Sequence, residues 1–196
     1  MAYGKSPCEG NDCHDSDSHL QYQEVVLSCG KGTGLNLPIG SGGCGCGSGN
    51  RWQPPALIVG TVNVDISGRH KPTVKIDFSS LINFGANSNG GEYFLGIIFQ
   101  LSKISNSSAK IPLATWIFEK KVDKLDDNCA CCCDPNGLAP IADPVQVNIR
   151  ENFAFSWCEC DACPGCYTYI LEIIDFETAF IDFASITNVS INAMAV

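Results

Sequence analysis

The chain has 196 residues, of which 45% are hydrophobic, 17% are charged and 13 are cysteines. Its 12 Lys and Arg against 21 Asp and Glu give a net charge of −9. A protein that binds nucleic acid needs a basic face, so this charge argues against a nucleic-acid partner. No apolar run approaches the roughly 18 residues that a membrane helix needs, and we expect a globular protein with no membrane partner.

The N-terminal segment differs in composition from the rest of the chain. Residues 1–20 are polar and acidic, contain Cys8 and Cys13, and offer almost nothing to bury. They lack the basic start and the apolar stretch of a secretory signal. We therefore predict a flexible connector arm over 1–20 and one domain over 21–196. Thirteen cysteines without such a signal indicate either metal ligation or release from the cell by another route, such as lysis.

The remainder of the chain reads as a series of strands. Residues 22–29 form a short β-rich run that ends at Cys29, and residues 40–50 form a Gly-rich loop with Cys44 and Cys46. Alternation of apolar residues then predicts the later strands. The faces predicted to share a side are Ile58, Gly60, Val62, Val64 and Ile66; Val74, Ile76 and Phe78; Tyr93, Leu95, Ile97, Phe99 and Leu101; Trp116, Phe118 and Val122; Val145, Val147, Ile149, Phe153, Phe155 and Trp157; Tyr167, Tyr169, Leu171 and Ile173; and Ile181, Phe183, Val189, Ile191 and Ala193.

These runs amount to seven or eight strands separated by turn-forming sequences. Phe94 and Ile98 on the second face of their strand predict a central strand covered on both sides. Only residues 118–127 could form a short helix. Because parallel strands need long connections, usually helical, we predict an antiparallel all-β fold. Its expected form is a two-sheet β-sandwich of jelly-roll type or a similar barrel.

Two dense cysteine clusters lie in the second half of the chain. The later one has the spacing C-x-C-x₂-C-x₂-C, which suits a tetrahedral thiolate site for zinc or part of an iron–sulfur cluster. Pro164-Gly165 within it is also a strong turn dipeptide, and cysteines that flank a hairpin turn can pair as disulfides instead. Both interpretations stay open; we favour disulfides and expect no cofactor. The clusters consist of Cys129, Cys131, Cys132 and Cys133, and of Cys158, Cys160, Cys163 and Cys166.

The run of three adjacent cysteines, 131–133, adds a constraint of its own. Neighbouring cysteines do not easily pair with one another, so their sulfurs must point in different directions. This arrangement favours a node that cross-links segments or chains. The odd total also leaves at least one thiol free, metal-bound or paired with another chain.

Catalytic residues are scarce. Of the three histidines, His14 and His19 lie in the arm, and His70 lies in a turn where solvation is the simpler interpretation. The motifs of nucleophile elbows, phosphate loops and zinc proteases are absent from the sequence. We expect that the protein is not an enzyme. A sugar-binding lectin is a less favoured alternative, because the aromatic residues mostly alternate into the predicted core.

Four motifs together carry a resemblance to a known family. They are VLSCGKGTG at 26–34, KPTVKIDFSS at 71–80, TWIFE at 115–119 and CECDACPGC at 158–166. In this combination the chain resembles a family of small cysteine-rich proteins of spore-forming clostridia, a domain of unknown function. More distantly it resembles the endospore appendage pilins of Ena type. Those are jelly-roll subunits whose N-terminal connector docks into a neighbouring subunit and is locked there by disulfides between chains.

The pilin resemblance implies Cys8 and Cys13 as connector cysteines and Cys29 as an acceptor. It implies a structural subunit of an extracellular or spore-surface filament, with copies of itself as partner and no small-molecule substrate. The physical logic agrees, because an arm can add to the exposed edge of a neighbour's sheet. Head-to-tail repetition of that contact gives an open filament.

The alternative function is a metal-binding module. The candidates for disulfides between subunits are Cys8, Cys13, Cys29, Cys131, Cys132 and Cys133. The candidates for other disulfides are Cys44, Cys46, Cys129, Cys158, Cys160, Cys163 and Cys166. In the metal-binding alternative, the ligands are Cys158, Cys160, Cys163 and Cys166.

Overall fold

The computed structural model describes residues 25–39, 50–52, 55–88, 93–105, 109–122 and 145–196. These residues form antiparallel strands, and no helix among them is long and apolar enough to cross a membrane. The strands are β1 (Val26–Cys29), β2 (Lys31–Gly32), β3 (Leu35–Asn36), β4 (Asn50–Trp52), β5 (Leu57–Asp65), β6 (Val74–Ser88), β7 (Tyr93–Ser105), β8 (Ile111–Val122), β9 (Val145–Glu159), β10 (Cys166–Ala179) and β11 (Ile181–Ala195).

The strands assemble into two antiparallel sheets. Sheet A has the order β1-β11-β6-β9, with β3 also paired to β11. Sheet B has the order β2-β5-β10-β7-β8, with β4 also paired to β10. The prediction of an antiparallel all-β fold with two sheets is therefore confirmed.

The core lies between the inner faces of the two sheets. Phe78 of sheet A and Phe99 of sheet B meet there with ring centroids 6.2 Å apart. Val62, Tyr169 and Ile191 are equally enclosed, each 2% exposed or less. Burial of each such large side chain contributes about 1.5–3 kcal/mol, so the alternating pattern supplies the main driving force for folding.

β-Bulges overturn two of the predicted positions. Ile58 is 51% exposed while Val59 is buried, because β5 changes register opposite Leu171 and Glu172. Phe183 is 45% exposed, because β11 changes register against β6 between residues 181 and 183. One extra residue in a strand reverses which side chains face inward, and alternation alone does not reveal it.

Two other predictions also need correction. Residues 118–122, which could have begun a helix, belong to strand β8, and residues 123–127 lie outside the described part of the chain. Phe94 and Ile98 are half-buried rather than covered, because no described layer packs on the outer face of sheet B. The single long strand predicted from Val145 to Trp157 is confirmed as β9, which continues through Glu151.

The two sides of the sandwich are built differently. On one side, the N-terminal strands join the sheets, because β1 and β3 pair with β11 whereas β2 pairs with β5. The Gly30 amide donates to the Ile191 carbonyl at 2.8 Å, and the Thr33 amide donates to the Val59 carbonyl at 2.7 Å. The backbone thus bridges the two sheets on this side.

On the other side, β8 and β9 are edge strands and have no second neighbour among the described strands. Side chains rather than backbone groups close this side. The rings of Trp116 and Phe155 stack with centroids 3.7 Å apart, and Lys120 pairs with Glu151 at 2.6 Å. No strand in the described part of the chain pairs with the outer margin of β8 or β9.

Candidate cross-linking site

Five of the thirteen cysteines fall within the described residues. Four of these carry free thiols on exposed residues. Cys163 is half-buried and disulfide-bonded. The four free thiols belong to Cys29, Cys158, Cys160 and Cys166. The predicted sites Cys8, Cys13, Cys44, Cys46, Cys129, Cys131, Cys132 and Cys133 lie outside the described residues.

Most of the described cysteines gather at one end of the sandwich, which we call the cysteine end. Cys158 lies near the end of β9, Cys166 begins β10, and the connection between these strands contains the other two. Across sheet A, Glu159 pairs with Val74, Val74 pairs with Ala195, and Ala195 pairs with Val26. These four residues therefore lie at the same end of the sheet. The chain that follows the N-terminal segment therefore enters the sandwich at the cysteine end.

The opposite end of the sandwich receives a different segment. β8 ends at Val122, which pairs with Tyr93, and β9 begins at Val145, which pairs with Ser88. The segment between them, which contains the first cysteine cluster, is thus attached at the end away from Cys158. The points at which the N-terminal segment and this segment join the described strands therefore lie at opposite ends of the sandwich.

Strand alternation aims the sulfur of Cys158 outward, and Cys160, one residue past the end of β9, is exposed as well. The residue between them, Glu159, points inward, where Tyr169 donates a hydrogen bond to its carboxylate at 3.0 Å. Lys103 forms an ion pair with the same carboxylate, and its ammonium group lies 5.2 Å from the centre of the Tyr167 ring. Burial, with a smaller contribution from the Glu159 carboxylate, raises the pKa of Tyr169 well above its ordinary value. The inward contacts fix the end of β9 against sheet B.

Backbone hydrogen bonds hold the connection between β9 and β10. The Ala162 amide donates to the Pro72 carbonyl at 2.9 Å, and the Ile66 amide donates to the Gly165 carbonyl at 2.8 Å. The hydroxyl of Tyr167 donates to the Cys163 carbonyl at 3.0 Å. The thiols of this corner are therefore displayed from a fixed backbone.

Cys29 and Cys158 share the outer face of sheet A but stand on its opposite edges. Cys29 pairs in register with Asn192, and Cys158 pairs with Lys75. Three strand spacings separate β1 from β9, which amounts to about 14 Å. A disulfide requires Cα atoms within about 7 Å, so these two cysteines cannot pair within one chain.

Cys166 has a different environment from the other free thiols. It pairs in register with Asp65 in sheet B. Asp65 accepts hydrogen bonds from the Ser67 hydroxyl at 2.6 Å and the Ser67 amide at 3.0 Å, which lower the pKa of its carboxyl. A hydrogen bond to that carboxylate raises the pKa of the Cys166 thiol. Because the thiolate is the reactive form, Cys166 is disfavoured as a nucleophile.

The metal alternative finds no support among the described residues. They contain no group of three or more His, Cys, Asp or Glu side chains that could hold a metal ion, although all four proposed ligands are described. Cys158 lies on sheet A, Cys166 begins a strand of sheet B, and Cys163 is disulfide-bonded. The close spacing along the sequence does not bring the four sulfurs together.

The inward contacts of Glu159 are the feature that sequence reasoning missed. A signal for them existed, because Glu159 occupies an inward position of an alternating strand, next to Trp157. An acidic residue there requires a partner. The partners, Lys103 and Tyr169, come from two other strands, so the sequence could not identify them.

Comparison with known proteins gives one match. A family model described as a domain of unknown function (DUF4489) covers residues 23–196. No curated protein and no solved structure matches the chain.

Proposed function

This chain belongs to the family described as a domain of unknown function (DUF4489), and we propose that it is a structural subunit of an extracellular or spore-surface filament. In this proposal, residues 1–20 of one copy dock on a neighbouring copy, and disulfides between chains make the contact permanent. The partner is thus a second copy of the chain, and the subunit is not an enzyme. The clostridial and appendage-pilin resemblance and a jelly-roll topology are part of the same proposal.

The observation that carries the proposal is the display of free thiols that cannot pair with each other. Cys29 and Cys158 point outward from one sheet, on strands that lie about 14 Å apart. Both residues are exposed, and both thiols are free. Surface thiols held in this way are available to another chain, and a disulfide with it would turn dissociation into a covalent event.

The polarity of the subunit supports a head-to-tail contact. The N-terminal segment joins the sandwich at the cysteine end, whereas the segment with Cys129–Cys133 joins it at the opposite end. A chain of 24 residues spans at most about 80 Å when extended. It is therefore long enough to reach a neighbouring subunit, and a contact between unlike surfaces that repeats without closing produces a filament.

Strand β9 supports the proposal as a docking edge. It pairs with β6 over fifteen residues without a register shift, and its other margin has no partner among the described strands. Lys, Pro and bulges, which protect many natural edges, are absent from β9, and its inward-facing Glu151 and Glu159 are paired with Lys120 and Lys103 of sheet B. An extended arm can add to such an edge through main-chain hydrogen bonds.

Charge is consistent with the absence of other macromolecular partners. The net charge of −9 disfavours nucleic acid and anionic membrane surfaces, so neither is part of the proposal. The acidic surface also favours solubility of the subunit before assembly.

The proposal is tested with the full-length protein, purified reduced and then oxidised in air. We expect a ladder of oligomers on denaturing gels without reductant, which collapses to monomer with reductant. Cys29→Ser or Cys158→Ser should remove most of the ladder, whereas the matched control Cys166→Ser should leave it. Peptide mapping of mixed ¹⁴N and ¹⁵N chains then shows whether the disulfides join different copies. A protein that runs as monomer in both conditions contradicts the proposal.

A further inference from the structure

A groove crosses the outer face of sheet A near the end opposite the cysteine end. Its volume is about 580 Å³, within the usual range for small-molecule sites. It is lined by residues of β6, β9 and β11, most of which alternate towards the outer face of the sheet, whereas Phe84 and Ile149 belong to the core side. The lining includes Asn83, Asn148, Arg150, Phe183, Thr187 and Asn188.

Phe183 gives the groove an aromatic surface. The bulge in β11 turns this residue outward, and it is 45% exposed. One side of its ring packs on Gly85, its register partner in β6: a Cβ at that position would stand 2.3 Å from a ring atom. Because Gly85 has no side chain, the ring of Phe183 can pack directly against the backbone there. The exposed part of the ring remains available to a ligand.

Hydrogen-bonding groups surround this ring. The amide nitrogen of Asn83 donates to the Thr187 hydroxyl at 2.9 Å, which fixes the orientation of the amide and leaves its oxygen as an acceptor. Asn148 and Arg150 alternate on β9 and face the same side. None of the described carboxylates forms an ion pair with Arg150. The groove thus combines neutral amides, a hydroxyl and one guanidinium group.

We propose that this groove binds a neutral oligosaccharide. A sugar ring has an apolar C–H face that stacks on an aromatic ring, whose face carries partial negative charge. Its hydroxyl groups both donate and accept, as the side chains of Asn and Thr require. A single arginine in a protein of net charge −9 does not favour a polyanionic ligand.

The inference is independent of the filament proposal, since it uses none of the cysteines and no contact between copies. If sugar binding fails, the cross-linking experiment is unaffected. If cross-linking fails, the groove is still present on a single chain.

Saturation-transfer NMR of the full-length protein tests the proposal, with chitotriose, cellotriose and mannotriose as neutral probes and trigalacturonate as the acidic comparison. We expect saturable binding of at least one neutral probe below about 20 mM, with transfer to the protons of one ring face. Phe183→Ala should weaken it about tenfold or more, a loss typical of a removed aromatic contact. Asn148→Ala should also weaken it, as a second probe of the same groove.

Phe180→Ala is the matched control. Phe180 is 57% exposed, precedes β11 and does not line the groove, so its loss should leave the affinity unchanged. Near-ultraviolet circular dichroism verifies that each variant is folded. Three results would overturn the proposal: no saturation by any neutral probe, a preference for trigalacturonate, or an equal effect of Phe180→Ala and Phe183→Ala.

Discussion

At the scale of single residues, the carboxylates around the thiols determine how the cysteine end behaves. Asp65 holds the Cys166 thiol in a hydrogen bond, and Glu159 fixes the strand that displays Cys158 and Cys160. Asp65 acts on the reactivity of the Cys166 thiol, whereas Glu159 acts on the position of the Cys158 thiol. Substitutions can separate these two roles.

Removing the charge of Asp65 should activate Cys166. Asp65→Asn keeps an acceptor oxygen for Ser67 but no longer disfavours the thiolate, so the thiol pKa falls towards its ordinary value. Site-resolved alkylation by iodoacetamide, followed by mass spectrometry between about pH 7 and 9, should then be faster at Cys166 than in the wild type. Asp77→Asn on sheet A is the control and should not change that rate. An unchanged rate in Asp65→Asn would contradict the assigned cause.

Removing Glu159 should destabilise the fold. The side chains of Glu159 and Lys103 are 19% and 17% exposed, so Glu159→Ala leaves a largely buried ammonium group without its partner. We expect a loss of about 1–3 kcal/mol in the free energy of unfolding, measured in urea. The exposed Glu119→Ala on β8 is the control and should change it by less than about 0.5 kcal/mol. Equal effects would show that the inward ion pair contributes nothing.

At the scale of strands, the alternating pattern correctly placed most of the core, and its errors cluster at bulges. Leu95, Ile97, Phe99 and Leu101 are buried as their spacing predicts. Phe183 shared the same kind of pattern, yet it faces outward because its own strand, β11, has a bulge against β6 between residues 181 and 183. A bulge depends on the pairing of two distant segments, and a single strand contains no trace of it.

The crossing of the N-terminal strands between the sheets requires glycine. A Cβ on Gly30 would stand 2.4 Å from the Thr61 carbonyl oxygen and 2.6 Å from a methyl of Ile191. Gly30→Ala should therefore cost about 1–3 kcal/mol of unfolding free energy. Gly68→Ala is the control, because nothing lies within 4 Å of the added Cβ. Similar midpoints of thermal and urea unfolding for the two variants would contradict the steric crowding inferred at Gly30.

A positive charge on the free margin of β9 should hinder assembly. Ala154→Lys adds the kind of side chain that protects natural edges, and we expect the protein concentration needed for filaments to rise about tenfold. Ser79→Lys is the control, because Ser79 is the register partner of Ala154 but lies on the internal strand β6. Sedimentation and negative-stain microscopy give the readout. An equal loss of filaments in both variants would show that the outer face of sheet A, and not the edge of β9, takes part in assembly.

At the scale of the whole molecule, the two outer faces and the two ends of the sandwich differ in chemistry. The outer face of sheet A is rich in Asn and Ser and carries Cys29 and Cys158, whereas that of sheet B exposes Ile58 and Ile117. The arm and the first cysteine cluster join opposite ends. An asymmetric subunit of this kind suits a directional assembly.

Deletion of residues 1–20 should abolish polymers without affecting the fold. The described strands begin at Val26, so the free energy of unfolding should change by less than about 0.5 kcal/mol. Sedimentation should then show monomers only. The double variant Cys8→Ser, Cys13→Ser retains the arm and should still polymerise, but into filaments that detergent dissociates. Long polymers from the deleted protein would contradict arm docking.

The sequence by itself determined the class of the fold, the approximate positions of most strands and the presence of a polar, cysteine-bearing N-terminal segment. These features follow from local composition and from a period of two residues, which any strand with one buried face must show. The tertiary structure alone decided which strands became edges, where the bulges turned Ile58 and Phe183 outward, and which thiols share a surface. Those properties depend on register and strand order, which are set by contacts between residues far apart in the chain.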